Sequence, residues 1–448
     1  MSRVLAFPGR LEQRSPIAAA TWALFFGFAL LMLGNALQGV LVGVRSESEG
    51  FGVLTAGLIM AAYFAGFLFG SRYALFLLTT VGHIRVFAAL ASVASAVVLV
   101  QAVIVVPGVW VLLRFLFGFC MAGIYVVVES WLNDLVGNES RGRILAVYMV
   151  VSMGAFGAGQ FLLTLADPSG VALFILASVL VSLSLVPISL SASSAPPMNK
   201  PVVMTVRELL KIVPTGLLTS FFVGAAAGTL IGIGPVYAAS VKLSTDQIAL
   251  FTAVPSVGAV LAQFPIGWLS DRIPRRAVIF GVSAAATAVS FSLLRVEPGS
   301  LTMVVLVGVL GALVFPLYGL SVAYTNDWLP PERIVGASGA LIRVNGTGAL
   351  AGPVISTILM SRLSSDLFFW TLAGAHLIIA LYVIWRIAVL EGLNVDQQSR
   401  YQMFPARASV IAARMMPKPR ARNIDLTQRR RFGTDDAAPE IDDEVPSV

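Results

Sequence analysis

"GWLSDRIPRRAVIFGVSAAATAVSFSLL", residues 267–294, sets a charged hinge in front of a long apolar run. Asp271, Arg272, Arg275 and Arg276 fall within six positions of a chain that is 57% hydrophobic and only 12% charged. The run after the hinge and the one ending at Ser270 are each long enough to cross a hydrocarbon core of about 30 Å as a helix. Lipid leaves an unpaired backbone group without a partner, and a helix pairs its own. The hinge therefore reads as a short polar connection between two membrane spans.

The same pattern fills the chain. Its mean hydropathy is +0.88 over 448 residues, far above a soluble domain. Strand-like alternation is absent, so the class is an all-α membrane protein. Apolar runs cut at charged or Pro/Gly breaks give spans at 17–44, 51–77, 86–106, 108–133, 143–166 and 170–190. Six more follow at 213–240, 246–269, 276–294, 300–326, 333–360 and 366–390. The organisation expected is a six-helix bundle over 1–190, a cytoplasmic linker over 191–212, a second six-helix bundle over 213–390 and a disordered cytoplasmic tail over 391–448. That tail runs from Arg-rich (415–431) to acidic (435–444) without apolar periodicity.

The formal charge of +7 sits mostly in short loops and in the tail. Membrane orientation explains it better than nucleic acid does, and places both termini in the cytoplasm of a cell-membrane protein. Residues 1–16 are polar and basic, and the apolar run behind them is too long for a signal peptide. The single Cys120 excludes a disulfide framework, and His83 with His376 cannot make a metal cluster. There is no phosphate-binding loop and no nucleophile elbow. No enzyme, no metal and no cofactor is expected; the partners are a small solute and the bilayer, and the chain is expected to be a monomer.

The halves echo one another. "GIYVVVESWLNDLVGNESRGRILAVY" (123–148) and "GLSVAYTNDWLPPERIVGASGALIR" (319–343) both run from a helix ending in Trp and acid, through a charged turn, into a helix opening on small residues. "GAFGAGQ" (154–160) parallels "GTGALAGP" (346–353). Internal repetition at half the length of a membrane domain marks secondary transporters.

The hinge has the form G-x-x-x-D-R-x-x-R-R, and with it the chain resembles the major facilitator superfamily. The stretches "RFLFGFCMAGIYVVVESWLND", "SRGRILAVYMVVSMGAFGAGQ", "QFPIGWLSDR" and "GALAGP" are similar to a bacterial subgroup of it, the YcaD-like porters, over most of residues 17–390. The resemblance implies two pseudo-symmetric bundles of six helices and alternating access. The matching first-half position, "LFLLTTVGHIRV" (75–86), keeps only Gly82, His83 and Arg85 of the pattern.

Candidate residues follow. Asp271 is expected to face the N-terminus of the helix that begins near Arg333, and Arg275 or Arg276 to pair with Asp327, locking the two bundles on the cytoplasmic side. Gly267, Arg272, Arg85 and Arg141 complete that candidate gate; the alternative is that the arginines only anchor topology. Arg114, in "RFLFG", resembles the family's R-x-x-x-G pattern linked to proton coupling. Glu129, the acid well inside a span, is either a proton site or a gate residue. Arg343 falls near mid-membrane by helical rise. Two intramembrane cations against one acid favour an anionic or carboxylate-bearing solute, unless Arg343 instead satisfies backbone carbonyls. Asn35, Gln38, Tyr125, Gln160, Tyr237, Gln263 and Tyr318 are the remaining candidates for a cavity wall. An exporter of drugs or amphipathic compounds is the alternative within transport, and a passive channel the alternative outside it.

Overall fold

The computed structural model describes residues 14–135, 141–190, 204–389, 393 and 395–401. Among them there are helices and no strand. The first group holds α1 (Arg14–Ser48), α2 (Gly52–Val81), α3 (His83–Val103), α4 (Pro107–Leu135), α5 (Arg141–Phe161) and α6 (Ala172–Leu183), which α7 (Leu185–Ser189) prolongs. A short α8 (Val206–Ile212) lies in the connecting segment. In the second group α9 (Pro214–Gly228) and α10 (Gly234–Ser240) form one broken span, followed by α11 (Thr245–Ser270), α12 (Arg275–Leu293), α13 (Leu301–Asp327), α14 (Ile334–Arg362) and α15 (Leu367–Val389).

Among the described residues, eleven stretches are long and apolar enough to cross a membrane. The twelfth expected span corresponds to α14, which has the length (29 residues) but not the hydropathy. Its Gly, Ser, Asn345 and Arg343 content explains the shortfall, and its burial against α9 and α2 explains why such a helix is tolerated. The helix ends are made locally. Ser244 accepts from Gln247 N, and the Gln247 amide accepts from Ser244 N at 2.9 Å, capping α11. Between α2 and α3 the chain turns on Gly82 alone, at φ 93°, which glycine adopts without strain. Pro235, which has no N–H, follows a π-turn at Thr229–Ile233 that breaks the α9–α10 span.

The internal repeat seen in the sequence reappears as packing. α2 against α4 corresponds to α11 against α13, α1 against α5 to α9 against α14, and α3 against α6 to α12 against α15. Glycines let these pairs close to backbone distance. A Cβ on Gly66 or Gly118 would overlap the facing α4 or α2 backbone, and one on Gly258 or Gly311 would overlap α13 or α11. The groups meet through α2–α14 and α5–α11. At the end opposite the hinge, Gly43 abuts Pro235 and Gly57 abuts Thr357, so the two groups touch there without a gap. We call the hinge end of the bundle the basic end.

Candidate functional site

Where the two groups meet, α1, α2, α4, α5 and the broken α9–α10 span enclose a cavity. Asn35, Gly39 and Val40 come from α1, Met60, Tyr63 and Phe64 from α2, Arg114 from α4, and Phe156 with Gln160 from α5. Ile231, Gly232 and Pro235 close it from the second group, at the π-turn and the helix that follows it. Its volume of about 20 Å³ has room for a water and not for a solute. The structure is therefore a closed state around this point.

Arg114 is 3% exposed, and a buried cation needs electron-rich neighbours. It donates from Nη1 to Gln38 Oε1, approaches the Met60 sulfur from Nη2 at 3.8 Å and lies 5.0 Å from the centre of the Tyr63 ring. Gln38 in turn donates to Gln101 Oε1 at 2.9 Å. Thus α1, α2 and α3 all orient one guanidinium on α4. Asn35, Arg114 and Gln160 share the wall, with Gln38 behind it. Sequence reasoning missed Met60, Tyr63, Phe64 and Gln101. Gln101 is fully buried, and a single amide in an otherwise apolar helix was the available signal.

Of the nine residues proposed for its wall, Gln38 stands behind the cavity and five more, Tyr125, Tyr237, Tyr318, Gln263 and Arg343, lie elsewhere. Tyr125 packs edge-on against Phe28 at 5.5 Å and turns its hydroxyl to the Met32 sulfur at 3.0 Å. Tyr237 stacks on Phe368 at 4.7 Å in a cluster with Phe251 and Phe369. Tyr318 is buried on α13. Gln263 belongs instead to an apolar fissure between α5, α11 and α13, lined by Met149, Val150, Met153, Ala259, Val260 and Phe315.

Arg343 corrects a second expectation. It is exposed and donates to the Met204 carbonyl at 2.8 Å, away from the cavity. Helical side chains slant toward the helix N-terminus, and a long arginine follows that slant to the nearest polar surface. Depth along a helix therefore did not predict where the charge ends up. Glu129, fully buried, accepts from the Tyr148 hydroxyl at 2.9 Å.

At the hinge, Arg275 is 1% exposed. It pairs with Asp327, donates to the Ala323 carbonyl at 3.1 Å and lies 3.6 Å from Asp271. All three residues belong to the second group, so this cluster ties helix ends within one bundle and does not bridge the two. Asp271 accepts from the backbone N–H of Tyr401 at 2.6 Å, where the N-terminus of α14 had been expected. Arg276 donates to the Tyr324 hydroxyl at 3.1 Å and lies 5.8 Å from the Trp328 ring centre. Arg272 stacks on the exposed Trp268 at 3.6 Å, an interfacial anchor beside the cluster. Arg85 is exposed at the α2–α3 turn, and the side chain of Arg141 lies outside the described residues.

The model of the Major Facilitator Superfamily matches residues 216–420. The solved nucleoside transporter NupG superposes with a TM-score of 0.68 at 13% identity, covering 84% of this chain and 100% of NupG. The fold is that of the major facilitator superfamily. A bacterial homologue of the human lysosomal transporter Spinster superposes at 0.65 with 15% identity, covering 91% and 99% of the two chains. The uncharacterised YcaD transporter of Escherichia fergusonii is 25% identical over 363 residues, 81% of this chain and 94% of the relative. That of Salmonella typhi is 26% identical over 366 residues, with the same coverage of 81% and 94%. The second half of the chain thus matches the superfamily's model, and the chain as a whole shares the fold of its solved transporters.

Proposed function

We propose that the protein is a secondary carrier of a small anionic or carboxylate-bearing solute, working by alternating access and driven by a proton gradient. The observation that carries this reading is the charge of the cavity wall. Among its described residues it holds one cation, Arg114, with the neutral amides of Asn35 and Gln160, and no carboxylate. In a low-dielectric site a solute anion beside that guanidinium gains far more than it would in water. The wall draws on both bundles, so tilting one against the other would open it to either side in turn. Glu129, with Tyr148 as its donor, is the candidate proton site. The basic end is cytoplasmic on the distribution of arginines, which puts both termini on the cytoplasmic side of a cell membrane, and the carrier acts as a monomer. Neighbours of the fold include a nucleoside transporter and, at 15% identity, a human organic anion transporter.

A second reading has its own observation. The fissure lined by Met149, Met153 and Phe315 is apolar, and flexible methionines suit varied apolar ligands, so an exporter of amphipathic compounds would use it. Competition assays in proteoliposomes separate the two. Inhibition by small carboxylates that disappears in Arg114→Gln supports the first reading. Inhibition only by apolar cations, unchanged in Arg114→Gln, supports the second. Flux without saturation or counterflow would leave a channel.

A further inference from the structure

The best-bonded part of the basic end comes from outside the two bundles. After α15 the chain returns as a 3₁₀ turn (Val395–Gln397) and runs to Tyr401 along the ends of α11, α12 and α13. Ser399 donates to Asp327 Oδ1 twice, from N at 2.8 Å and Oγ at 2.7 Å, and its carbonyl accepts from Arg275 Nη2. Tyr401 N donates to Asp271 Oδ1 at 2.6 Å, and Gln263 donates to the Tyr401 hydroxyl at 2.9 Å. With its amide turned to satisfy both ends, Gln398 donates to the Ser270 carbonyl and accepts from Arg275 N, each at 3.2 Å. One strand of chain thereby caps the last turn of α11 and the first turn of α12.

The slot for this strand is built from missing side chains. The Tyr401 ring lies on Gly267 of α11 and Gly319 of α13. A Cβ on Gly319 would stand 2.5 Å from the Tyr401 hydroxyl, and one on Gly267 would overlap the ring. The leading glycine of the hinge motif therefore makes room for a tyrosine over a hundred residues downstream. The tail was expected to be disordered; residues 395–401 are packed because polar contacts hold them, and hydrophobic periodicity does not register such contacts.

We propose that residues 395–401 are a self-docking lock on the basic end, which holds the carrier in its closed state and must leave for that end to open. Asp271 and Asp327 are two acids facing one buried guanidinium. Three of the donors that offset the imbalance belong to the docked strand. Removing it leaves Asp327 buried without two of its hydrogen bonds, which is costly unless water enters or the helix ends rearrange. Docking and closure are therefore coupled: strand in place, acids dry; strand gone, acids wetted. The segment reaches the seam between the bundles through Gln263, which holds the Tyr401 hydroxyl and lines the fissure beside Met149 and Met153 of α5.

The lock does not depend on the identity of the solute, and its test needs none. Spin labels at positions 143 and 332, exposed residues on the two bundles at the basic end, report the separation of the bundles in nanodiscs. Ser399→Ala should raise the ratio of open to closed population about tenfold, as loss of a hydrogen bond to a charged group implies. Tyr401→Ala, which empties the slot of its ring, and a chain ending at residue 394 should raise it in the same direction. Tyr401→Phe, which keeps the ring, should stay near wild type. Gly319→Ala, altering the other wall of the slot, should behave like Tyr401→Ala. If the shortened chain does not purify folded, the point variants carry the test on the full chain. Identical distance distributions in wild type, Tyr401→Ala and Ser399→Ala would overturn the proposal.

Discussion

Arg114 and Arg275 are both buried arginines, yet they sit in opposite electrostatic settings. Arg275 is shared by Asp327 and Asp271, so it is held by charge. Arg114 is held by an amide, a thioether and an aromatic face, neutral groups where Arg275 has a carboxylate pair. Asp327→Asn should therefore destabilise the fold by about 3–5 kcal/mol, the usual penalty for stranding one half of a buried ion pair; thermal unfolding in detergent measures it. Gln101→Leu should act differently. Stability should change by about 1–3 kcal/mol at most, because one buried amide loses its partner, but solute affinity should fall as Gln38 and then Arg114 lose their orientation. A substrate-binding isotherm beside a melting curve separates the two effects. Residue identity was legible in the sequence for Arg114, Arg275 and Asp327, because charge inside an apolar run demands a partner or a task. Arg343 was misplaced since spacing along a helix gives depth and not the direction a long side chain takes to water.

At the scale of elements, close helix pairs and their ends control the scaffold. Gly118 faces the α2 backbone at Tyr63, the residue under the Arg114 guanidinium. Gly118→Ala should push α2 away, cost about 1–3 kcal/mol as overpacking does and weaken solute binding together with stability. Ser244→Ala should remove the α11 cap for about 1 kcal/mol without touching binding. The short α8 carries the other capping box. The Thr205 N–H and hydroxyl hold the Glu208 carboxyl below the usual carboxylate range. A depressed folded value means the contribution is present above the unfolded pKa and is lost as pH falls through the folded one, so amides 206–212 should lose exchange protection as pH falls below the ordinary carboxylate range. Existence of the spans was readable because twenty apolar residues have few alternatives in lipid. The break at Thr229–Ile233 and the docked strand at 395–401 were less readable, since both depend on contacts made far along the chain.

Over the whole molecule, the twofold repeat of helix pairs and the one-sided lock coexist. The second half carries the complete hinge and its docked strand; the first half places Gly82 and His83 at the matching turn, with the His83 ring bonded to Ser130 at 2.9 Å. On the two proposals made above, opening at the basic end would be governed by one bundle, while the solute charge would be met mainly by the other. The direct test is transport in proteoliposomes under an imposed pH gradient, scanning small carboxylates and other anions in wild type and Arg114→Gln. The account predicts saturable, counterflow-competent accumulation of an anionic solute that depends on the gradient and is lost in Arg114→Gln. Movement of cations or neutral amphipaths alone, unchanged by Arg114→Gln, would contradict it.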